Sequence, residues 1–333
     1  MEIQSCFPKK TPLPTQWHAL LKKAGLTPEA DPVYTVLVWD GTDLIATGSR
    51  DGSLLKYLAV DPARQGEDLT ATVLTHLRQE AFAAGCSHLF LYTKPRNRFL
   101  LQGLFFYPVA QTKDVLLMED RKDGLKQYLE SLPRFPEADT IGAAVMNCDP
   151  FTNGHRYLIE TAAKDCDRLY VFVLSEDRGH FPAKDRLALV QAGTADLPNV
   201  TVVETGPYLI SAATFPTYFL PNRDQVGVAQ CQLDIEIFGR YLAPALGITL
   251  RYVGTEPLSD LTNDYNRTLE ASLPSHGITL HQISRLEQNG AAVSASRVRA
   301  LLAEGNLEAL QALVPPTTYQ YLSHLQQEVN HHV

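Results

Sequence analysis

The stretch Thr140–Cys166, which reads TIGAAVMNCDPFTNGHRYLIETAAKDC, decides the fold of this chain. It begins with the apolar run Ile141–Met146, which is short enough to be a buried strand. After a polar turn, apolar residues recur at the spacing of one helix face, at Leu158, Ile159, Ala162, Ala163 and Cys166. The pattern therefore predicts a strand, a loop and the beginning of a helix. Because a helix N-terminus carries free N–H groups and the positive end of the helix dipole, this arrangement is a natural phosphate site.

The loop in this stretch, Asp149-Pro150-Phe151-Thr152-Asn153-Gly154-His155, carries a more specific signal. It resembles the D-P-x-T-x-G-H signature of the HxGH nucleotidyltransferases, with Thr152 in place of the first histidine. The resemblance implies that the chain uses ATP and that a nucleophile attacks the α-phosphate. A histidine by itself is more often a surface or capping residue, but the strand–turn–helix context favours a catalytic interpretation of His155.

Composition narrows the class of protein. A chain of 333 residues suggests about two domains, and 45% hydrophobic and 20% charged residues are ordinary for a soluble globular protein. The net charge of −8 argues against a nucleic-acid partner. No apolar run is long enough to span a bilayer and the first residues lack an apolar signal core, so we expect no membrane partner.

The cysteine pattern indicates a reducing compartment. The five cysteines are scattered and none forms a CxxC pair, which predicts free thiols, no zinc site and a cytoplasmic location. Cys148 lies in the key loop, but the implied reaction class needs no enzyme nucleophile.

The first 120 residues predict an α+β domain. Residues 1–30 form a polar lead-in with one helix, and apolar runs separated by Asp-Gly turns then indicate an antiparallel meander. A helical pattern over Leu69–Ala84 and further short strands complete the region. The expected strands are Val33–Trp39, Leu44–Gly48, Leu54–Val60, His88–Thr93, Leu104–Val109 and Val115–Met118. This order resembles the GNAT acetyltransferase fold.

One departure from the GNAT pattern bears on cofactor use. The GNAT family binds the pyrophosphate of acetyl-CoA at the turn that corresponds to Arg64-Gln65-Gly66. A second glycine usually follows, whereas this chain has Glu67 and Asp68, whose negative charge would repel phosphate. CoA binding by this domain is therefore doubtful, and we expect the domain to be structural or to dock a partner.

The remaining chain predicts a second domain. Residues 121–139, with Pro133 and Pro136, are expected to be a linker between a domain over 1–120 and another over 140–333. From residue 140 onward, strand and helix patterns alternate. Such alternation predicts a doubly wound, Rossmann-like parallel sheet with ligands at the carboxyl ends of its strands.

Two further motifs follow predicted strands. The first, Tyr252–Pro257, contains Gly254, Thr255 and Glu256. Its glycine would let a nucleotide approach the backbone, and its carboxylate could hold ribose hydroxyls. The second, Val293–Arg299, resembles the I-S-S/T-x-x-x-R/K signature of the same nucleotidyltransferase superfamily.

The combination of a GNAT-like domain with a Thr-x-Gly-His domain is similar to the citrate lyase ligase family, and the resemblance covers nearly the whole chain. The stretches that carry it are Met146–Leu158, Gly193–Asp196, Ala213–Phe219, Tyr241–Gly247, Val253–Pro257 and Leu313–Pro315. It implies that acetate attacks the α-phosphate of ATP, which gives acetyl-AMP and pyrophosphate. The prosthetic-group thiol of the citrate lyase acyl carrier subunit then takes the acetyl group, and citrate lyase becomes active. Mg²⁺ would arrive with ATP, and no protein residue is assigned as a metal ligand.

The same resemblance implies roles for individual residues. His155 and Thr152 would hydrogen-bond the α-phosphate, and Arg299 would stabilise the leaving pyrophosphate. The expected ATP-binding residues are Asn147, Asp149, Phe151, Gly154, Gly254, Thr255, Glu256, Ser294 and Ser296. Arg186 and Lys184 could contact a phosphate or carboxylate, although a helix-surface position is expected for both.

Two other functions stay open from the sequence. The chain could be an adenylyltransferase that joins ATP to a pantetheine- or nicotinamide-type phosphate acceptor, giving a dinucleotide. It could also be a nucleotide-sensing or scaffold protein built on two decayed enzyme folds. Pyrophosphate exchange into ATP separates the three possibilities. It should depend on acetate for the ligase, depend on the phosphate acceptor for the adenylyltransferase, and be absent for the scaffold protein.

Overall fold

The chain is described by a computed structural model that covers residues 1–177, 179–209, 215–220, 226–255, 260–288 and 290–331. Residues 213–214 and 256–257 of the motifs quoted above lie outside these ranges, as do residues 224–225 of a helix that the sequence predicts over 224–242. The chain divides into two compact units, Met1–Lys126 with Pro216–Ala229, and Gln127–Phe215 with Gln230–Val333. The predicted domain boundaries at residues 120 and 140 stay predictions.

The first unit is built on a mixed sheet. Its described residues form seven strands in the order β1-β2-β3-β4-β5-β7-β6. Neighbouring strands are antiparallel except β4 and β5, which are parallel. The strands are β1 (Glu2–Cys6), β2 (Tyr34–Asp40), β3 (Asp43–Asp51), β4 (Leu54–Val60), β5 (Phe90–Thr93), β6 (Tyr107–Gln111) and β7 (Leu116–Glu119). The α+β fold predicted for this part of the chain is confirmed.

Helices cover this sheet because their apolar faces match its buried side. They are α1 (Thr15–Lys23), α2 (Leu69–Ala83) and α3 (Arg98–Gly103). The next helix, α4 (Gly124–Ser131), contains the point where the first unit ends and the second begins. On α2, Leu69, Val73 and Leu77 recur at four-residue spacing and lie in the core with the strand residues. The prediction of a polar lead-in with one helix over residues 1–30 is confirmed for the helix, α1, but it missed β1, which pairs with β2.

A cleft opens in the first unit where two strands diverge. β4 and β5 pair only through Leu54 with Phe90 and Leu55 with Leu91, although both strands continue further. The later residues of both strands line a cavity of about 630 Å³, together with Leu100 of α3.

The second unit is the predicted doubly wound domain. The five strands of its main sheet are all parallel, in the order β10-β9-β8-β11-β12. They are β8 (Ile141–Met146), β9 (Arg168–Val173), β10 (Val200–Glu204), β11 (Leu250–Gly254) and β12 (Thr279–Ile283), with a separate hairpin of β13 (Glu287–Gln288) and β14 (Ala291–Ala292). The helices are α5 (Asn153–Lys164), α6 (Ala183–Gly193), α7 (Val226–Ile237), α8 (Ala243–Leu246), α9 (Asp260–Ser272), α10 (Ala295–Ala303), α11 (Leu307–Leu310) and α12 (Pro316–His331).

The strand order places the two halves of the predicted site next to each other. From the central strand β8 the chain proceeds to β9 and β10 on one side, and later returns to β11 on the other side. The carboxyl ends of β8 and β11 therefore flank the point where the strand order reverses, which is where open α/β sheets bind ligands.

No helix in the described ranges combines the length and the apolar character needed to cross a bilayer.

Candidate active site

The beginning of α5 fixes the two residues predicted to be catalytic. Thr152 is the N-cap residue, and its hydroxyl accepts the backbone N–H of His155 at 3.3 Å. In return, Nδ1 of His155 accepts the backbone N–H of Thr152 at 3.1 Å. This reciprocal cap satisfies two N–H groups of the helix start and holds the imidazole in one orientation.

The cap also determines the protonation state of His155. A backbone N–H can only donate, so Nδ1 is the acceptor and the proton of the neutral ring lies on Nε2. Burial, and then the charge of Arg285, lowers the pKa of His155 to about 4. The ring is therefore neutral at pH 7 and offers one hydrogen-bond donor, Nε2–H, to a ligand.

Phe151 packs its ring against the imidazole of His155. Its side chain is 0% exposed, and its ring stacks on that of His155 with centroids 6.1 Å apart. Gly193 of α6 leaves room for it, because a Cβ there would lie 2.5 Å from the Phe151 ring. Phe151 was predicted to bind ATP, but a side chain this deeply buried can act on a nucleotide only through His155.

Asp149 organises the loop between β8 and α5. Its buried carboxylate accepts the backbone N–H groups of His180 at 3.1 Å and Phe181 at 3.0 Å, and it lies 3.2 Å from Nδ1 of His180. Burial raises the pKa of Asp149, but these donors and the nearby charge of Arg299 outweigh it, so the pKa is lowered overall. The carboxylate therefore stays ionised and ties the loop to the segment that precedes α6.

Arg186 was expected on the surface of a helix, and that expectation is wrong. Its side chain is 0% exposed, and Nη1 donates to the backbone oxygen of Asn147 at 2.6 Å and to its side-chain oxygen at 2.7 Å. The other guanidinium nitrogens donate to the carbonyl oxygens of Phe181 and Glu176. Arg186 thus positions Asn147 and the loop, whereas Lys184 is exposed as expected.

The second nucleotidyltransferase motif reaches the same place. Ser294 is the N-cap residue of α10, and its hydroxyl accepts the backbone N–H of Arg297 at 3.2 Å. Arg299 donates to the Ser296 hydroxyl at 3.2 Å and to the backbone oxygen of Asp149. Its Nη1 also lies 3.7 Å from the Asp149 carboxylate. Residues 150 positions apart in the sequence therefore meet at the loop before α5.

Gly154 permits this close approach of the two motifs. A Cβ at this position would lie 2.8 Å from the backbone oxygen of Val293, so a larger residue would push α10 away from α5. On the neighbouring turn, Asn153 donates through its backbone N–H to Leu313 and through its side chain to Ala312.

The end of β11 supplies the third part of the site. The backbone oxygen of Gly254 accepts from Asn266 at 3.0 Å, and a Cβ on Gly254 would be 3.6 Å from Leu158 of α5. Thr255 donates its N–H to Ile283 of β12 at 2.9 Å. Glu256 lies outside the described residues.

Arg285 is a site residue that was not predicted from the sequence. This residue follows β12, and its Nε donates to the backbone oxygen of Thr255 at 2.8 Å. Its charge also lowers the pKa of His155, so Arg285 lies near the beginning of α5. The available signal was its place just beyond the carboxyl end of a strand in a parallel sheet.

Cys148 lies in an environment that does not suit a nucleophile. It is fully buried, and burial raises the pKa of its thiol, so the sulfur is protonated at neutral pH. Its φ of +52° lies in the left-handed region and marks the sharp turn that leaves β8.

Within the described ranges, no group of three or more His, Cys, Asp or Glu side chains is arranged to hold a metal ion. The prediction that Mg²⁺ enters with ATP stays a prediction, and it is compatible with an ion that keeps most of its waters.

In the turn after β4, two carboxylates neutralise the positive charge of Arg64. Arg64 lies 2.6 Å from Glu67 and 2.8 Å from Asp40, measured between nitrogen and carboxylate oxygen. A phosphate at this turn would have to compete with two carboxylates for one guanidinium. That the first unit does not use CoA stays a prediction.

Comparison with known proteins identifies the family. The family model for the citrate lyase ligase C-terminal domain matches residues 141–322. The chain is 42% identical over 311 residues to the [citrate [pro-3S]-lyase] ligase of Klebsiella pneumoniae, covering 92% of this chain and 91% of that protein.

Solved structures resemble its parts. Thermotoga maritima TmcAL, bound with alpha-thio ATP, is 15% identical with a TM-score of 0.34, over 57% of this chain and 56% of that chain. An acyl-CoA N-acyltransferase from Pseudomonas aeruginosa is 14% identical with a TM-score of 0.29, over 36% of this chain and all of that chain (100%). On the strength of the full-length relative and the family match, the chain is an enzyme that belongs to the citrate lyase ligase family.

Proposed function

We propose that this enzyme activates citrate lyase by joining acetate to the prosthetic-group thiol of the acyl carrier subunit, with acetyl-AMP as the intermediate. In the first step an acetate oxygen bonds to the α-phosphorus of ATP, and the bond from that phosphorus to the bridging oxygen of the β-phosphate breaks. Pyrophosphate leaves. In the second step the thiol sulfur bonds to the acetyl carbon, the carbon–oxygen bond to AMP breaks, and the thiol proton passes to solvent.

One observation carries this proposal: the two motifs of the second unit meet at the N-terminus of α5. Arg299 reaches Asp149, and Gly154 lies against Val293. A phosphate chain bound there would face the helix-start N–H groups, the Nε2–H of His155 and the guanidinium groups of Arg299 and Arg285. These are fixed donors and cations, and they suit a reaction that builds negative charge on phosphate oxygens.

The roles of the individual residues follow from their contacts. We assign His155 to the α-phosphate, because its neutral ring has a single free donor. Arg299, Ser294 and Ser296 would hold the pyrophosphate that leaves. Gly254 and Thr255 would line the nucleoside, and Glu256 is proposed for the ribose on sequence grounds alone.

The second step requires less catalytic assistance from the enzyme than the first. An acyl adenylate is already activated, so the protein has to hold acetyl-AMP out of water and admit a thiol. No covalent enzyme intermediate is needed, in agreement with the buried, protonated Cys148.

Exchange of labelled pyrophosphate into ATP tests the first step without any partner protein. We expect exchange that requires acetate and Mg²⁺. Exchange that requires pantetheine phosphate or nicotinamide mononucleotide instead of acetate would favour the adenylyltransferase alternative. Absence of exchange with every carboxylate, in enzyme that still binds ATP, would contradict the proposal.

A further inference from the structure

The first unit exposes a group of large apolar side chains on and next to α3. Phe99 and Leu100 of α3 are 84% and 57% exposed, Phe105 just beyond it is 67% exposed, and Phe82 near the end of α2 is 78% exposed. Single exposed apolar residues are common on proteins. Four large ones on adjoining elements indicate a surface that a partner covers.

Contacts of Arg78 place these elements side by side. Arg78 lies one turn before Phe82 on α2, and its Nη2 donates to the backbone oxygens of Leu104 at 2.7 Å and Phe105 at 3.4 Å. Its guanidinium group also lies 4.7 Å from the centre of the Phe106 ring. The end of α2 therefore lies against the turn that follows α3. We call Phe82, Phe99, Leu100 and Phe105 the aromatic patch.

The charge beside this patch is unlike that of the whole chain. The chain has 37 acidic and 29 basic residues, yet no Asp or Glu occurs from Leu89 to Lys113. That segment contains Lys94, Arg96 and Arg98 immediately before the apolar residues of α3. In the described part of the chain, none of these three cations forms an ion pair with a carboxylate, and Arg98 donates to the side-chain oxygen of Gln111 at 3.4 Å. An apolar centre with a basic rim fits a partner whose face is apolar in the middle and acidic around it.

We propose that the aromatic patch and its basic rim dock the carrier protein whose thiol accepts the acyl group, and that the carrier meets them with an apolar face rimmed by carboxylates. This inference rests on the proposed function, because the second step needs a protein-bound thiol to arrive at each turnover. Docking would hold the carrier on the chain that makes the acyl adenylate and raise the effective concentration of its thiol. Exposed aromatic side chains would supply most of the affinity, and the cations would speed and orient the encounter.

The test compares two patch variants with matched controls in the full-length enzyme. Phe99→Ser removes the most exposed ring, and Arg96→Glu with Arg98→Glu reverses the rim. Phe7→Ser changes a half-exposed ring elsewhere on the same unit, and Lys22→Glu reverses an exposed cation on α1. Acetyl transfer is measured against the concentration of purified carrier subunit, with pyrophosphate exchange measured in parallel.

We expect each patch variant to raise the KM for carrier about tenfold or more, with kcat and pyrophosphate exchange unchanged. Both controls should stay within about twofold of the wild type. The KM of the wild type should also rise with salt, and that dependence should be weaker after charge reversal. An unchanged KM for carrier in both patch variants would overturn the proposal.

Two further outcomes separate docking from the proposed chemistry. If the wild type shows no acetate-dependent exchange, the chemistry is wrong, and calorimetric titration of the carrier into the enzyme still decides the docking. Loss of carrier binding in the patch variants would then support the docking proposal, and carrier binding equal to that of the wild type would overturn it. If the variants turn a dimer into a monomer in light scattering but leave the KM for carrier unchanged, the patch joins two copies of this chain, and the proposal is wrong.

Discussion

At the scale of single residues, His155 is the group to which we assign the largest part in the proposed chemistry. We predict that His155→Ala lowers the rate of pyrophosphate exchange by about 100-fold to 1,000-fold, which is typical for loss of one hydrogen-bond donor to a charge that forms in the transition state. The dissociation constant of ATP should change much less, because the ground state needs this donor less. His324→Ala, at an exposed histidine of α12, is the control. Lost ATP affinity with the rate at saturation retained would contradict the assigned role.

The lowered pKa of His155 predicts the behaviour of the enzyme in acid. The unfolded chain takes up this proton near pH 6.5, whereas the folded chain takes it up near pH 4. Between these values the unfolded state binds more protons, so the free energy of unfolding should fall as the pH is lowered from 6.5 to 4. Exchange activity should show no titration near pH 6.5.

Two measurements check this pH dependence. One is the pH profile of kcat/KM for exchange, and the other is the pH dependence of the urea midpoint in the wild type and in His155→Gln. The variant should lose part of the acid-dependent change in stability. An inflection in activity at pH 6.5 that disappears in the variant would show that the imidazole titrates normally.

Residue-level prediction from the sequence succeeded where local spacing decides the position. Thr152, Gly154 and His155 follow a strand and begin a helix, so their position together at the helix N-terminus could be inferred. Arg186 and Arg285 could not be assigned in the same way, because their partners lie 39 and 30 residues away in the sequence. For Arg186 a signal existed: it shares the buried face of α6 with Leu189, Val190 and Gly193.

At the scale of secondary-structure elements, Arg186 couples α6 to the loop that follows β8. We predict that Arg186→Met lowers the free energy of unfolding by roughly 3 kcal/mol or more, because the carbonyl oxygens of Asn147, Glu176 and Phe181 lose their buried donor. Exchange activity should fall with the order of the loop, and excess ATP should not restore it. Arg186→Lys should recover only part of the stability, since an ammonium group cannot match the guanidinium fork.

Urea unfolding and exchange kinetics measure this effect. Lys184→Met provides the matched control, because Lys184 lies on the same helix with its side chain exposed. A variant at position 186 as stable as that control would contradict the positioning role.

The sequence predicted most elements, and the misses have physical causes. β8 has the predicted bounds because every one of its residues is apolar or small and the strand is mostly buried. β1 was missed because four of its five side chains are exposed, which leaves no hydrophobic alternation to read. It is an edge strand, held by its backbone pairing with β2.

At the scale of the whole molecule, the order of strand and helix patterns was sufficient for both fold classes. The sequence did not indicate that residues 216–229 fold with the first unit. There Tyr218 accepts the N–H of Thr27 through its backbone oxygen at 2.9 Å, and its ring lies 4.7 Å from that of Tyr57. Such pairings join distant parts of the chain and have no local pattern.

For the whole enzyme, we propose that acetate attacks the α-phosphate of ATP and that the carrier thiol then releases AMP. Acetate labelled with oxygen-18 in both carboxylate oxygens tests it most directly. One turnover with the carrier subunit should give AMP with one labelled oxygen on its phosphate, because the oxygen that bonds to phosphorus stays there when the thiol attacks the acetyl carbon. Pyrophosphate should be unlabelled. Labelled orthophosphate together with ADP, or unlabelled AMP formed alongside acetylated carrier, would contradict the account.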